Sequence, residues 1–451
     1  MGQGSSMETQ FGSVDCGTSG GFNFDLHTND FDKGMVELVG SKGYPIEHYA
    51  VTTEDGYILG VYRIPHGRIR GGSERPPVLL QHALLDSSFA YVGNLPEQSL
   101  AYILADCGYD VWLGNNRGNR HSRGHTRIST NTDEYWDFSF DEMAKYDLPA
   151  MIDFVLQTNG AQKLAYVGHS QGTIQAFAGF SLNPSLAEKV AVFIAMAPVA
   201  YVYHQTGFWG GVTGRMCIAQ LLKTMGHRAF MCDGASDSVL NGYGPSLYKL
   251  FPGTADTFLE WVCGPSQHID RQRVPIFVRW TPAGTSIKNM IHWEQGLSDN
   301  SFRWFDYGST SANMQKYGQG SPPMFNLSDV AVPVALFTGE NDYMVQSADL
   351  TRLIAELPPH ILIKHDHIPT FSHLDFTWAP DANHFVYPSL VATIARYMQV
   401  GEEYLMPANS SLRQPFFVSS TEITSEVVAA DSHSEEEIDF LAQSPVGANG
   451  L

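Results

Sequence analysis

Basic residues are scarce in this chain. It carries 27 Lys and Arg against 47 Asp and Glu, a formal net charge of −20. Phosphate recognition needs clustered cations, so the balance argues against nucleic-acid binding. Long apolar runs are missing as well: the longest, near Val190 to Tyr203, is too short for a bilayer span and contains Pro198. It reads instead as a buried strand of a parallel sheet. Cysteine is sparse, and Cys16, Cys107, Cys217, Cys232 and Cys263 include no C-x-x-C pair, so neither a zinc site nor a disulfide framework is indicated. Cys217, Cys232 and Cys263 share one segment, where a single bridge is the one pairing to expect in an oxidising compartment. Met1 to Asp30 is rich in Gly, Ser and Thr and has no basic start followed by an apolar run, so no secretory signal is visible and an intracellular location is expected. Met1-Gly2-Gln3-Gly4-Ser5-Ser6 matches the short myristoylation pattern at Gly2, and one acyl chain anchors only marginally.

What is present is ample core material. With 451 residues, 43% hydrophobic and 16% charged, the chain can bury one large core plus an insertion. A helical turn (Phe31 to Gly43) leads into a hairpin, Glu47 to Val51 and Tyr57 to Ile64 around Glu54-Asp55-Gly56. Apolar strands then alternate with helices: Pro77 to Gln81, Tyr109 to Leu113, Leu164 to Val167, Val190 to Ala197, Val334 to Thr338 and His360 to Ile363. That order predicts an α/β fold, a mostly parallel sheet with helices on both faces. Ser139-Phe140-Asp141-Glu142 is a capping-box pattern, Asn159-Gly160 closes the helix that follows, and Pro149 is expected to kink it or restart it with Asp147 as a new cap. The organisation expected is a flexible segment 1–30, a core formed by 31–200 and 324–400, a largely helical cap at 201–323, and an acidic, disordered tail at 401–451. The cap holds Phe208, Trp209, Met216, Phe230, Met231, Phe258, Trp261 and Trp280, most of them packing residues and a minority available to line an acyl channel.

Gly168-His169-Ser170-Gln171-Gly172 stands between an apolar strand and a helix-compatible run. The small residues permit the sharp turn that exposes a serine hydroxyl at a helix N-terminus, and this setting, more than the letters, marks Ser170 as a nucleophile. A hydroxyl is a weak nucleophile and needs a base and an orienting carboxylate. Asp342 follows the strand Val334 to Thr338 across Gly339-Glu340-Asn341, and His373 follows the next strand by a short loop. The order Ser, acid, His selects them over His365 and His367, and over Glu340, Asp366 and Asp375. The oxyanion of an acyl transfer needs preorganised N–H donors, assigned to the backbones of Gln171 and of Leu84 in His82-Ala83-Leu84-Leu85. No cofactor and no metal are required.

These residues resemble the acid lipase family, which includes gastric lipase, lysosomal acid lipase and plant and insect relatives. The resemblance spans about Phe31 to Val400. It rests on Thr53 to Leu59, Arg63 to Gly67, Gln81 to Leu85, Gly114 to Asn119, Trp136 to Pro149, Gly168 to Gly172, Thr281 to Ser286 and His373-Leu374-Asp375-Phe376. It implies a capped α/β-hydrolase fold, a cofactor-free action on triacylglycerols or steryl esters at a lipid–water interface, a triad of Ser170, Asp342 and His373, and a secreted or lysosomal location as the alternative to an intracellular one. Ala83 departs from the Gly usual there, placing a methyl group in the tight oxyanion loop. Rival readings are an esterase or acyltransferase on smaller acyl esters, and a non-catalytic lipid-binding protein.

Overall fold

The computed structural model describes residues 30–69, 75–208, 210–211, 217–232 and 250–401, three helical positions between 243 and 248, and the backbone of 419–422. Gly2, Cys16, Trp209 and Met216 lie outside the described residues, as does most of the acidic tail.

The predicted hairpin forms from β1 (Glu47–Thr52) and β2 (Tyr57–Ile64), antiparallel with Glu47 opposite Arg63. There follow β3 (Pro77–Gln81), β4 (Asp110–Leu113), the two-residue β5 (Gly124–His125), β6 (Leu164–His169) and β7 (Val190–Met196). Later come β8 (Ala229–Phe230), β9 (Thr285–Ser286), β10 (Val334–Gly339), β11 (Leu362–Ile368) and β12 (Ser419–Glu422). The main sheet runs β1-β2-β4-β3-β6-β7-β10-β11-β12, with β5 on β2 and with β8 and β9 as a separate pair. All pairings from β4 to β11 are parallel. The helices Leu148–Asn159, Gln171–Leu182 and Tyr387–Met398 pack on β3, β6 and β7 respectively. Every residue of β3, β6 and β10 is buried, which is why these strands read as unbroken apolar runs. Their carboxyl ends, at Gln81, His169 and Gly339, therefore meet at the rim where open parallel sheets bind ligands.

Four expectations are amended. The strand expected at His360 to Ile363 begins at Leu362 and runs to Ile368, carrying His365 and His367 inside the sheet. The expected restart is met in position but not in bonding: the α-helix Leu148–Asn159 begins with Asp147 at its N-cap position, yet the Asp147 side chain makes no capping hydrogen bond. A π-helical segment, Met143–Asp147, precedes it without a break, and Pro149 falls in the first turn of the α-helix. Asp147 keeps helical torsions and gives its carboxylate to the Arg117 guanidinium instead. Cys217 and Cys263 are free thiols, so no bridge joins the three cysteines of the 201–323 segment. Within the expected tail, Ser419–Glu422 pairs antiparallel with β11.

The capping box at Ser139 is present: its N–H donates to Glu142 Oε2 across 2.7 Å, and Gly160 ends the helix in the left-handed conformation. In the 201–323 segment the described helices include Ile218–Thr224, Pro252–Cys263, Val274–Trp280, Ile287–Ser298 and Thr310–Tyr317. No helix among the described residues is long and apolar enough to cross a membrane.

Candidate active site

β6 reverses into the helix Gln171–Leu182 at Ser170, whose φ of 51° and ψ of −113° lie outside the common regions for an L-residue. Glycine is needed on both sides: a Cβ on Gly168 would fall 2.7 Å from the Gly172 carbonyl oxygen, and one on Gly172 would strike the carbonyl of Gln81. The Ser170 N–H is held by the Met196 carbonyl at 3.1 Å, tying the turn to the end of β7.

Two long-range contacts complete the arrangement. Ser170 Oγ donates to His373 Nε2 across 2.7 Å, and His373 Nδ1–H donates to Asp342 Oδ2 across 2.8 Å. Asp342 Oδ1 accepts the amides of Met344 at 2.8 Å and Val345 at 3.0 Å, so both carboxylate oxygens are engaged and the imidazole faces a fixed acceptor. The Cys263 carbonyl accepts the His373 N–H at 3.1 Å, bracing the loop from the side of the inserted segment.

The rivals lie elsewhere. His365 and His367 both approach Thr338 Oγ1, at 2.8 and 3.0 Å. Glu340 is paired with His367, Asp366 with Lys364, and Asp375 accepts Ser266 Oγ and the Ser372 N–H.

Among the described residues neither the Leu84 nor the Gln171 N–H has a protein acceptor; Gln171 opens its helix, where amides are spare. Ala83 keeps a negative φ, and the left-handed residue of this loop is Leu85, at φ 61°. The methyl group is therefore accommodated without backbone strain at its own position. One group escaped sequence reasoning here. His82 donates from Nδ1 to the Ala83 carbonyl at 2.8 Å, while its Nε2 accepts the Asn116 amide at 3.1 Å and Asn119 Nδ2 at 3.2 Å. Burial pushes its pKa down to about 4, so the ring stays neutral and clamps the loop after β3 to the loop after β4. The repeated asparagines in Asn115-Asn116-Arg117-Gly118-Asn119 were the available signal.

The site is covered. Ser170, Asp342 and His373 are 1%, 1% and 2% exposed. The Leu84 side chain packs against a cluster of Ala219, Ile287, Met290, Ile291 and Phe305, all from the 201–323 segment.

Comparison with known proteins is consistent along the chain. Residues 35–95 match a "Partial alpha/beta-hydrolase lipase region" and residues 76–207 an "alpha/beta hydrolase fold". Human lipase member K is 41% identical over 81% of this chain and 91% of its own length. Human gastric triacylglycerol lipase is 41% identical over 84% of this chain and 96% of its own. The lysosomal acid lipase/cholesteryl ester hydrolase of Macaca fascicularis is 39% identical over 80% and 91%. The chain belongs to the acid lipase family. The sheet order and its flanking helices are thus those of an acid lipase, an α/β hydrolase that acts on carboxylic esters.

Proposed function

We propose that this acid lipase hydrolyses neutral lipid esters, triacylglycerol or steryl ester, through an acyl-enzyme on Ser170. The observation that carries the reading is the unbroken chain from Ser170 Oγ through His373 to Asp342, at 2.7 and 2.8 Å. His373 removes the Ser170 proton as the oxygen attacks the ester carbonyl. The Gln171 and Leu84 amides receive the oxyanion, and His373 returns the proton to the leaving alcohol. Water, deprotonated by the same imidazole, then releases the fatty acid. Asp342 holds the reactive tautomer and stabilises the imidazolium.

Lipid substrates are favoured by what surrounds the covered site as well as by the relatives' names. Leu221, Met225, Leu250, Phe251, Phe258 and Trp261 are exposed apolar side chains of the 201–323 segment. We assign to this segment the role of a cap that meets a lipid–water interface and uncovers Ser170. Of the two compartments expected from the sequence, the gastric and lysosomal relatives favour the secreted or lysosomal one.

A hydrolysis profile across acyl esters of graded length, soluble and emulsified, tests the substrate class. Emulsified long-chain triacylglycerol or cholesteryl ester should be cleaved, and Ser170→Ala should abolish it. Activity confined to short soluble esters would overturn the lipase reading and leave the esterase one.

A further inference from the structure

The residue after the nucleophile is fixed by a side chain that the reaction never touches. Gln171 is 2% exposed, and its carboxamide is oriented without ambiguity. Oε1 accepts Asn289 Nδ2 at 2.8 Å and Trp293 Nε1 at 3.1 Å, filling both lone pairs, while Nε2 faces the thioether of Met143 at 3.6 Å. The reverse orientation would set an NH2 group against two N–H donors.

The Asn289 side chain is held through Nδ2, its buried Oδ1 having no hydrogen-bond partner among the described residues. Its Nδ2 gives one hydrogen to Gln171 and the other to Thr285 Oγ1 at 3.1 Å, and its own N–H caps onto Ser286 Oγ at 2.9 Å. The helix that bears it, Ile287–Ser298, is bolted to the hydrolase core. His292 stacks on Phe140 at 3.9 Å, accepts Ser139 Oγ–H and donates to the Arg303 carbonyl, and Lys288 pairs with Asp137 and Glu142. One residue from Trp293, the Glu294 carboxylate accepts the Ala219 and Gln220 amides at 2.7 and 3.3 Å, capping the helix Ile218–Thr224, whose Ala219 belongs to the cluster packed on Leu84. Helix Ile287–Ser298 therefore joins the nucleophile turn to the helix Ile218–Thr224.

We infer that Asn289 and Trp293 are positioning residues for the oxyanion hole: by pinning the Gln171 carboxamide they fix the plane of the peptide whose N–H receives the developing oxyanion. The inference rests on the reading of Gln171 as an oxyanion donor. Its physical basis is that a donor contributes only if it is aimed before charge develops, and that Ser170 sits in a strained conformation from which the following peptide could relax by rotation. Two hydrogen bonds on a buried side chain one residue away oppose that rotation.

The test uses the full-length enzyme with p-nitrophenyl butyrate, a soluble ester that does not require an interface, and counts active sites by fluorophosphonate titration. Asn289→Leu and Gln171→Met should each lower kcat per titrated site about 10-fold with KM within about twofold, a fraction of the loss on deleting an oxyanion donor outright. Trp293→Phe, which keeps the ring and loses only the N–H, should lower it about threefold. Because Asn289 acts through Gln171, the double variant Asn289→Leu/Gln171→Met should be no slower than the slower single variant. A merely structural role would reduce the titratable fraction and leave kcat per site unchanged. That result, or losses that multiply in the double variant, overturns the inference. Should Asn289→Leu fail to fold, Trp293→Phe and Gln171→Met carry the same comparison. Ser170→Ala is measured alongside: residual turnover there would overturn the serine mechanism itself, whereas its silence with unaffected Asn289→Leu would overturn only the positioning role.

Discussion

His169 donates its Nε2 hydrogen to the main-chain carbonyl of His373 across 2.9 Å, so the residue before the proposed nucleophile holds the backbone of the proposed base. Donation from Nε2 leaves Nδ1 as a bare lone pair, buried and without a partner among the described residues. Burial, with His373 beside it, pushes the His169 pKa down to about 3. It therefore stays neutral through the mildly acid range and adds no second cation when His373 is protonated. His169→Leu should lower kcat on a soluble ester on the order of 10-fold by loosening His373. The acid limb of the wild-type pH profile should show no group titrating from His169 above about pH 4, measured as kcat/KM against pH. An acid limb that moves when His169 alone is replaced would contradict this.

Stability should depend on pH through buried imidazoles. His121 is partly buried and accepts the Tyr62 hydroxyl at 3.1 Å, and desolvation first, then nearby cationic groups, lower its pKa to about 3. Its unfolded-state value is near 6.5, so between those pH values the unfolded chain binds a proton that the folded chain refuses. Stability then falls as pH drops through 6.5 toward 3. His121→Phe removes that term. The variant, handicapped near pH 7.5 by the lost Tyr62 bond, should gain about 2 kcal/mol relative to wild type by about pH 4.5. Thermal melts at the two pH values read the difference; a constant Tm gap would contradict it.

The most deeply buried cation among the described residues is a separate test. Arg117 lies among Asp55, Asp147 and the face of Tyr57, with its guanidinium 3.9 Å from the ring centroid. Burial holds the Asp147 carboxyl up, to about 6, against the opposing pull of Arg117. Arg117→Met leaves that carboxylate unpaired and should cost about 3–5 kcal/mol in urea denaturation. Arg117→Lys should not restore the loss, because one ammonium cannot span two carboxylates bidentately.

Leu221 and Met225, 57% and 67% exposed on the helix Ile218–Thr224 and its end, would enter the lipid surface if the proposed interfacial role of the 201–323 segment holds. Replacing both with Glu should cut turnover of emulsified triacylglycerol by about 10-fold or more, with soluble-ester turnover as the internal reference. Equal losses on both substrates would argue against an interfacial role.

The parts of this enzyme that sequence reveals are those set by local chemistry. Gly168 and Gly172 announce the turn at Ser170 because no side chain fits there, and the strand end before Asp342 follows from an apolar run buried on both faces. Polar strands hide. Lys364-His365-Asp366-His367 has no apolar alternation, yet it sits in β11 because Thr338 meets both imidazoles while Lys364 and Ser389 meet Asp366. Nothing local foretells that the His82 ring reaches Asn116, or that Gln171 is gripped by Asn289; those partners are distant in sequence and meet only once the sheet is assembled. Asp147 lies between the two cases: it stands at the N-cap position that Pro149 signals, but its carboxylate goes to the distant Arg117 guanidinium and not to a helix amide.

The central claim is that Ser170 is the nucleophile of a triad with His373 and Asp342, and covalent labelling tests it most directly. Intact enzyme treated with a long-chain alkyl fluorophosphonate, then digested and analysed by mass spectrometry, should carry the phosphonyl group on Ser170 alone. Labelling should be strongly slowed in His373→Ala and abolished in Ser170→Ala. Lipase activity that persists in an enzyme left unlabelled at Ser170, or a label carried by another residue, would contradict the account.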